Sequence, residues 1–418
     1  MSDMANSNDE TGATGDPSVD GRWRRAFLRV VLVLGSAFVA LLLAEIGLPL
    51  FIPVTDAPLQ FWDPVVGTRH LPDMEGRWIS GEHINSPYRF NSQGWNHPRD
   101  YSTVKPPGTK RVCVIGDSFT QALDVPLEQT FFVIARERMS RPDRPVEWYT
   151  FANGGYGTAE EYMLLRHYAL DYDPDTVVIL FVQNDLADTS PYLAYQPPTQ
   201  ARATLGETGE LILIPPRLRR MSPVRGWLAK SALVRYLYLQ RQFFHAIPDM
   251  EAERKRIAES YRQAGGGGKA SSPPEAVAAD LQRRSWELIE AILRRAQRDC
   301  CQQGILLALA YRGSRSEIEA AERGERYTPP PSEVDPYCVG QRRDEMGKDF
   351  LEPITDRLGI PYLDLTPALI AKVKGTGRHH VIPGNLHWND VGHAAAGEAL
   401  AAWIESLWRD QEQSPANP

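Results

Sequence analysis

The sequence predicts an α/β fold of three layers, α/β/α, around a mostly parallel central sheet. Two observations carry that expectation. Short apolar runs without polar interruption, such as RVCVI and DTVVILFV, suit strands buried on both faces. Segments with helical spacing stand between them, and alternating strand and helix is the order that builds a parallel sheet.

Each element follows from its own residues. RVCVI is the first central strand and GDS the turn after it, with a helix expected from near Phe119 through EQTFFVIARERMS. VEWYTFANGG reads as strand then loop. TAEEYMLLRHYALDY sets Tyr162, Leu165 and Tyr168 on one side of a helix. DTVVILFVQND is a strand ending in polar residues. AADLQRRSWELIEAILRRAQRDCCQQGILLALAY gives a long helix, a glycine stop and a strand, and DEMGKDFLEPITDRLGIPYLDLTPAL repeats that pattern. The last helix follows NDVGH, with Asn389 or Asp390 placed to cap it.

Other stretches bound this unit, which the sequence places at residues 109–410. Residues 1–21 are rich in Ser, Asp and Gly and are expected to be a disordered cytoplasmic tail. Residues 22–53 carry an apolar run long enough to span a bilayer, preceded by Arg22, Arg24, Arg25 and Arg29. Positive charge on that side predicts a single-pass anchor in the inner (cytoplasmic) membrane with the remainder extracytoplasmic. Glu45 and Pro49 weaken the span, and a cleaved signal peptide is the alternative, though no A-x-A site follows. Residues 54–108 form a Pro-, Gly- and aromatic-rich extension, and 411–418 a disordered tail. Residues 190–275 break the strand–helix rhythm with VRYLYLQRQFFHAIPDM and the linker GGGGKASSPP. They are expected as an insertion or lid, the alternative being a subdomain for an anionic polysaccharide.

A formal net charge of −7 argues against a nucleic-acid partner, because phosphate binding needs a basic face. No phosphate-loop or dinucleotide-binding glycine pattern follows a strand. Cys113, Cys300, Cys301 and Cys338 match no metal knuckle. A bridge from Cys338 to Cys300 or Cys301 is open in an oxidising compartment, and Cys113 is expected buried and inert. No metal or cofactor is called for; His379–His380 read as a loop, and His393 and Trp388 as packing for the final helix.

Chemistry gathers at the strand ends. Ser118 lies on a strand-to-helix turn, where free helix amides stabilise negative charge. FANGGYGT supplies glycines whose N–H can approach a ligand closely. Asn184 ends the third strand with an amide able to donate to an oxyanion, and His387 stands in LHWN before the last helix. In a parallel sheet such loops meet at the carboxyl edge, where ligands of open α/β folds bind.

The order Ser, Gly, Asn, His in GDSF, NGGYGT, VQND and LHWN resembles the blocks of the SGNH (GDSL) hydrolases, of the bacterial membrane-anchored type. The resemblance covers about residues 80–190 and 280–408 and implies a flavodoxin-like sheet. It further implies Ser118 as nucleophile and His387 as base, with an oxyanion site from Ser118, Gly155 and Asn184; Gly157 is the second candidate glycine. Gln183 stands where the family usually has glycine. The implied activity is an esterase acting through an acyl-enzyme, removing an acyl group, acetyl above all, from a carbohydrate or cell-envelope glycan. O-acetyltransfer to an exported polysaccharide is one alternative, and a catalytically silent glycan-binding or scaffold protein another.

One family residue does not transfer. The aspartate that orients the histidine stands two or three residues before it, and here those places hold Asn385 and Gly384. Asn385 is therefore the expected orienter, neutral rather than charged. The alternatives are a carboxylate from elsewhere, Asp390 or Asp364, or a degenerate site. Asp117 is read as shaping the nucleophile turn.

Overall fold

In the computed structural model, which describes residues 17–56, 58–193, 196–218, 223–241, 275–313, 315–325 and 347–413, the chain opens with helix α1, Pro17–Phe51. Two antiparallel hairpins follow, β1 (Gln60–Asp63) with β2 (Gly67–His70) and β3 (Glu75–Ser80) with β4 (Ile84–Arg89). The α/β unit then runs β5 (Lys110–Gly116), α2 (Ser118–Gln121), α3 (Phe131–Met139), β6 (Val146–Ala152), α4 (Thr158–His167), β7 (Thr176–Val182) and α5 (Asp185–Thr189). The hairpin β8 (Arg202–Leu205)–β9 (Leu211–Ile214) and short helices α6 (Pro223–Leu228) and α7 (Ala232–Val234) form the described part of the insertion. The chain closes with α8 (Glu275–Cys301), β10 (Leu306–Arg312), α9 (Arg315–Glu322), α10 (Gly347–Leu358), β11 (Tyr362–Asp364), α11 (Thr366–Thr376) and α12 (Asp390–Gln413).

The central sheet has the order β11-β10-β7-β5-β6, and all four pairings are parallel. Counted in chain order within the sheet this is 2-1-3-4-5, the flavodoxin-like winding, whose direction reverses between β5 and β7. Strand periodicity sorts the core into two layers. Cys113, Ile115, Val177, Ile179, Phe181, Leu307 and Leu309 face α4, α8 and α10. Val112, Val114, Val178, Leu180, Ala308 and Ala310 face α3, α11 and α12. The strands expected to be buried on both faces are so.

Several sequence expectations need correction. Helix was expected without a break from Phe119 to Ser140, but it stops after Gln121 and resumes at Phe131. Ala122 takes a left-handed conformation (φ 53°), and Asn96 Nδ2 holds the Gln121 carbonyl at 2.7 Å, while Pro126 has no N–H to extend a helix. Residues 17–21, expected disordered, begin α1; Pro17 suits a first helical turn. Residues 411–413, expected in the tail, belong to α12, while 414–418 lie outside the described residues. The linker GGGGKASSPP and Cys338 also lie outside them.

Among the described residues one helix, Trp23–Phe51, is long and apolar enough to cross a membrane, with mean hydropathy 2.5. Glu45, which weakened that span on paper, is fully engaged. Its carboxylate accepts from Ser231 Oγ (2.7 Å), Ala232 N–H (2.7 Å) and Leu233 N–H (3.0 Å), capping the start of α7.

The core layer under α8 gives a direct test. Leu293 is fully buried there, so Leu293→Ala should cost about 2–5 kcal/mol of unfolding free energy. The shift in urea midpoint of the full chain reads that loss, and an unchanged midpoint would contradict this packing.

Candidate active site

β5 and β7 flank the switch point, so the loops at their carboxyl ends face one another. Gly116 closes the first of these tightly: an added Cβ would sit 2.3 Å from Thr120 Oγ1. Asp117 Oδ1 accepts the Phe119 N–H at 2.9 Å and caps α2, which leaves Ser118 as its first residue. A first-turn N–H has no partner within its helix, so the Ser118 amide is available to a ligand.

His387 arrives from the loop between α11 and α12. That loop is pinned by the Val381–Trp388 bridge, by a bond from Asn385 N–H to the Ile382 carbonyl (3.0 Å), and by Arg312 Nη2 on the Leu386 carbonyl (3.0 Å). Trp388 is fully buried against Phe119 and Phe131, and His393 is buried behind it, as the sequence suggested. The Asn389 side chain caps α12 through the Val391 and Gly392 amides.

The two ends of the chain meet here. His387 Nε2 lies 2.7 Å from Ser118 Oγ, across 269 residues of sequence. The other ring nitrogen, Nδ1, lies 2.7 Å from Asn385 Oδ1, and the same oxygen accepts the His387 backbone N–H at 2.9 Å. That backbone donor fixes which end of the Asn385 amide faces the ring. Nδ1 therefore sees only acceptors and carries the proton, leaving Nε2 as an acceptor for the serine hydroxyl.

Asp390 and Asp364 do not reach the ring. Asp390 pairs with Arg378 through two contacts of 2.8 Å, and Asp364 accepts the Thr366 N–H at 2.9 Å. The carboxylate that does approach is one the sequence reading missed. Asp124 Oδ2 lies 3.0 Å from His387 Nδ1. Six residues after Ser118 it carried no motif, and only the left-handed reversal at Ala122 brings it back beside the imidazole.

The glycine loop lies against Ser118, because an added Cβ at Gly154 would come 3.7 Å from Ser118 Cβ. Gly154 N–H is already donated to Gln121 Oε1 (3.2 Å), while Gln121 Nε2 donates to His70 Nε2 (2.8 Å) and Asn153 Oδ1 (3.1 Å). Gly157 donates to Glu160 Oε2 at 3.2 Å, and no room remains for a Cβ beside Thr189. Gly155 takes φ +79°, and its N–H meets no acceptor among the described residues. Of the two glycines considered, Gly155 is the one with a free donor. Asn184 is placed differently from expectation: Nδ2 donates to Asp117 Oδ2 (3.1 Å) and Asp188 Oδ2 (2.9 Å), so both its hydrogens are engaged. Serving an oxyanion requires it to release one of them.

Behind these groups sit buried carboxyls. Burial, first of all, raises the Asp117, Glu160, Glu161 and Asp185 carboxyls above their ordinary values and pushes Asp188 up to about 6. Neighbouring acids add to this for Glu161 and Asp185, and neither Glu161 oxygen has a hydrogen-bond partner among the described residues. Arg312, buried against the Phe119 ring, is lowered by desolvation to about 10 and stays cationic at neutral pH. Cys113 and Cys300 are buried and free, with their thiols pushed up by burial, and Cys301 is exposed and free. Among the described residues no group of three or more His, Cys, Asp or Glu is arranged to hold a metal.

No family model matches the chain, and no curated protein sequence matches it either. Solved structures do. TesA is 10% identical with a TM-score of 0.35, over 71% of this chain and 99% of that one. An acetyl xylan esterase is 12% identical with a TM-score of 0.34, over 70% and 99%. The lipase/acylhydrolase from Enterococcus faecalis is 12% identical with a TM-score of 0.34, over 71% and 96%. These are likenesses of fold. Within the chain itself, GDSF and LHWN meet at one edge of the parallel sheet, with Ser118 Oγ and His387 Nε2 in contact.

The buried acids set a pH dependence. A carboxyl raised in the native state keeps a proton that the unfolded chain releases above its ordinary value of 4.5, so unfolding releases protons and stability falls as pH rises from there toward the native value. Glu161→Gln removes one such proton. The decline of melting temperature from pH 5 to pH 8 should therefore become shallower in the variant. Parallel melting curves for the two proteins would contradict the assignment.

Proposed function

We propose that this chain is a serine esterase of the SGNH type that removes an O-acyl group, acetyl in the first instance, from a carbohydrate or cell-envelope glycan. The observation that carries the reading is the 2.7 Å contact between Ser118 Oγ and His387 Nε2, with Nδ1 held as the donor. A serine hydroxyl is a weak nucleophile until a base takes its proton. His387 takes it as Oγ attacks the acyl carbon; the Ser118 and Gly155 amides receive the oxyanion, joined by Asn184 once one of its hydrogens is freed. The imidazolium returns the proton to the departing alkoxide. Water, activated by the same ring, then hydrolyses the acyl-serine. Ser118 and His387 are only partly buried at the sheet edge, which suits a small acyl group presented on a larger alcohol.

Turnover of p-nitrophenyl acetate by the full-length protein in detergent tests this. Ser118→Ala should lose at least the 10²–10³-fold typical of a catalytic contact, and more if the pair acts as a unit. Equal, background rates for wild type and variant, with no labelling by a serine-directed probe, would end the catalytic reading. Acyl groups appearing on an added glycan acceptor would convert the esterase into a transferase.

We infer further that α1 is an uncleaved single-pass anchor, its arginine-rich start on the cytoplasmic side and the α/β unit outside. The charge asymmetry around the apolar run supports this. The intact chain should stay with membranes through an alkaline wash; recovery of a shortened soluble form would refute it.

A further inference from the structure

The orienting aspartate missing from the histidine loop has a counterpart elsewhere in the chain. Asn385 and Asp124 reach the same ring nitrogen from different sides, and their geometry divides the work. Asn385 Oδ1 takes the Nδ1–H at 2.7 Å and, bound also to the His387 backbone N–H, fixes the ring's tilt within its own loop. An amide oxygen carries no net charge. Asp124 Oδ2 stands 3.0 Å from Nδ1 with its side chain only 12% exposed, so its charge acts on the imidazole with little screening by water. The carboxylate is itself held: Trp78 Nε1, on β3, donates to Asp124 Oδ1 at 3.1 Å. Asn96 secures the turn leading to it through the Gln121 carbonyl at 2.7 Å.

We propose that Asp124 is the positioning acid of this site, supplying from the turn after the nucleophile the negative charge that Asn385 cannot, and that Trp78 sets its carboxylate. The residues before 108 thereby belong to the catalytic machinery. During acylation the Oγ–H bond breaks and its proton moves to Nε2; Oγ bonds the acyl carbon, whose electron pair moves to the carbonyl oxygen. Asp124 gains no proton. It stabilises the imidazolium while that cation exists, and the alkoxide then leaves with the Nε2 proton as the carbonyl reforms.

The inference rests on the esterase reading, and the test separates the two failures. Turnover of p-nitrophenyl acetate is measured for wild type, Asp124→Asn, Asn385→Asp, the double variant, Trp78→Phe and Ser118→Ala. Asp124→Asn should lower kcat by roughly 10²–10⁴-fold with little change in KM, the upper end being the loss in serine proteases for an aspartate-to-asparagine change. The double variant returns the carboxylate to the family position and should recover most of that loss. Trp78→Phe should lower kcat less. Recovery by the double variant is the readout that misfolding cannot imitate, since it returns a carboxylate beside Nδ1 and repairs nothing else. An Asp124→Asn enzyme within about twofold of wild type, beside a dead Ser118→Ala, overturns the proposal while leaving the esterase intact. So does a loss that the double variant does not recover. If Ser118→Ala matches wild type, the esterase reading fails and takes this one with it.

Discussion

The direction of one proton governs the site. His387 can accept from Ser118 at Nε2 only while Nδ1 is kept as the donor, and Nδ1 is met by two oxygens and no donor. Much of the nearby structure serves that arrangement. Arg312, itself desolvated and costly to bury, holds the loop by its Leu386 carbonyl. Trp388, next in sequence to the histidine, is buried against Phe119, next in sequence to the serine, so packing in the core fixes both partners at once.

What the sequence disclosed follows from how each signal arises. The central strands were legible because burial on both faces leaves an uninterrupted apolar run, and the four blocks because each closes a strand or opens a helix. Asp124 was not legible. Its placement depends on a left-handed alanine, and Ala122 looks like any helical alanine until Asn96 draws away the neighbouring carbonyls. The same blindness affected the glycines. Gly155 and Gly157 are equivalent as letters, yet Glu160 has taken the Gly157 amide, whose surroundings leave no room for a Cβ, while Gly155 sits in open space at φ +79°. Asn184 follows β7 as expected, but its engagement with Asp117, 67 residues away, and with Asp188 is announced by no local pattern.

The extension before β5 was expected as a Pro-, Gly- and aromatic-rich segment ahead of the α/β unit. Its hairpins instead press on the nucleophile turn from the side, with His70 on Gln121, Asn96 on the end of α2, and Trp78 on Asp124. Near the turn lies a different kind of group, a set of buried acids whose carboxyls burial raises and which therefore weaken the fold as pH rises. Natural proteins commonly keep such unfavourable groups where activity resides.

The 269-residue separation between Ser118 and His387 has a consequence for when the proposed pair can form. In a nascent chain Ser118 emerges 269 residues ahead of His387, so a copy cut short between them lacks the contact on which the proposed chemistry rests.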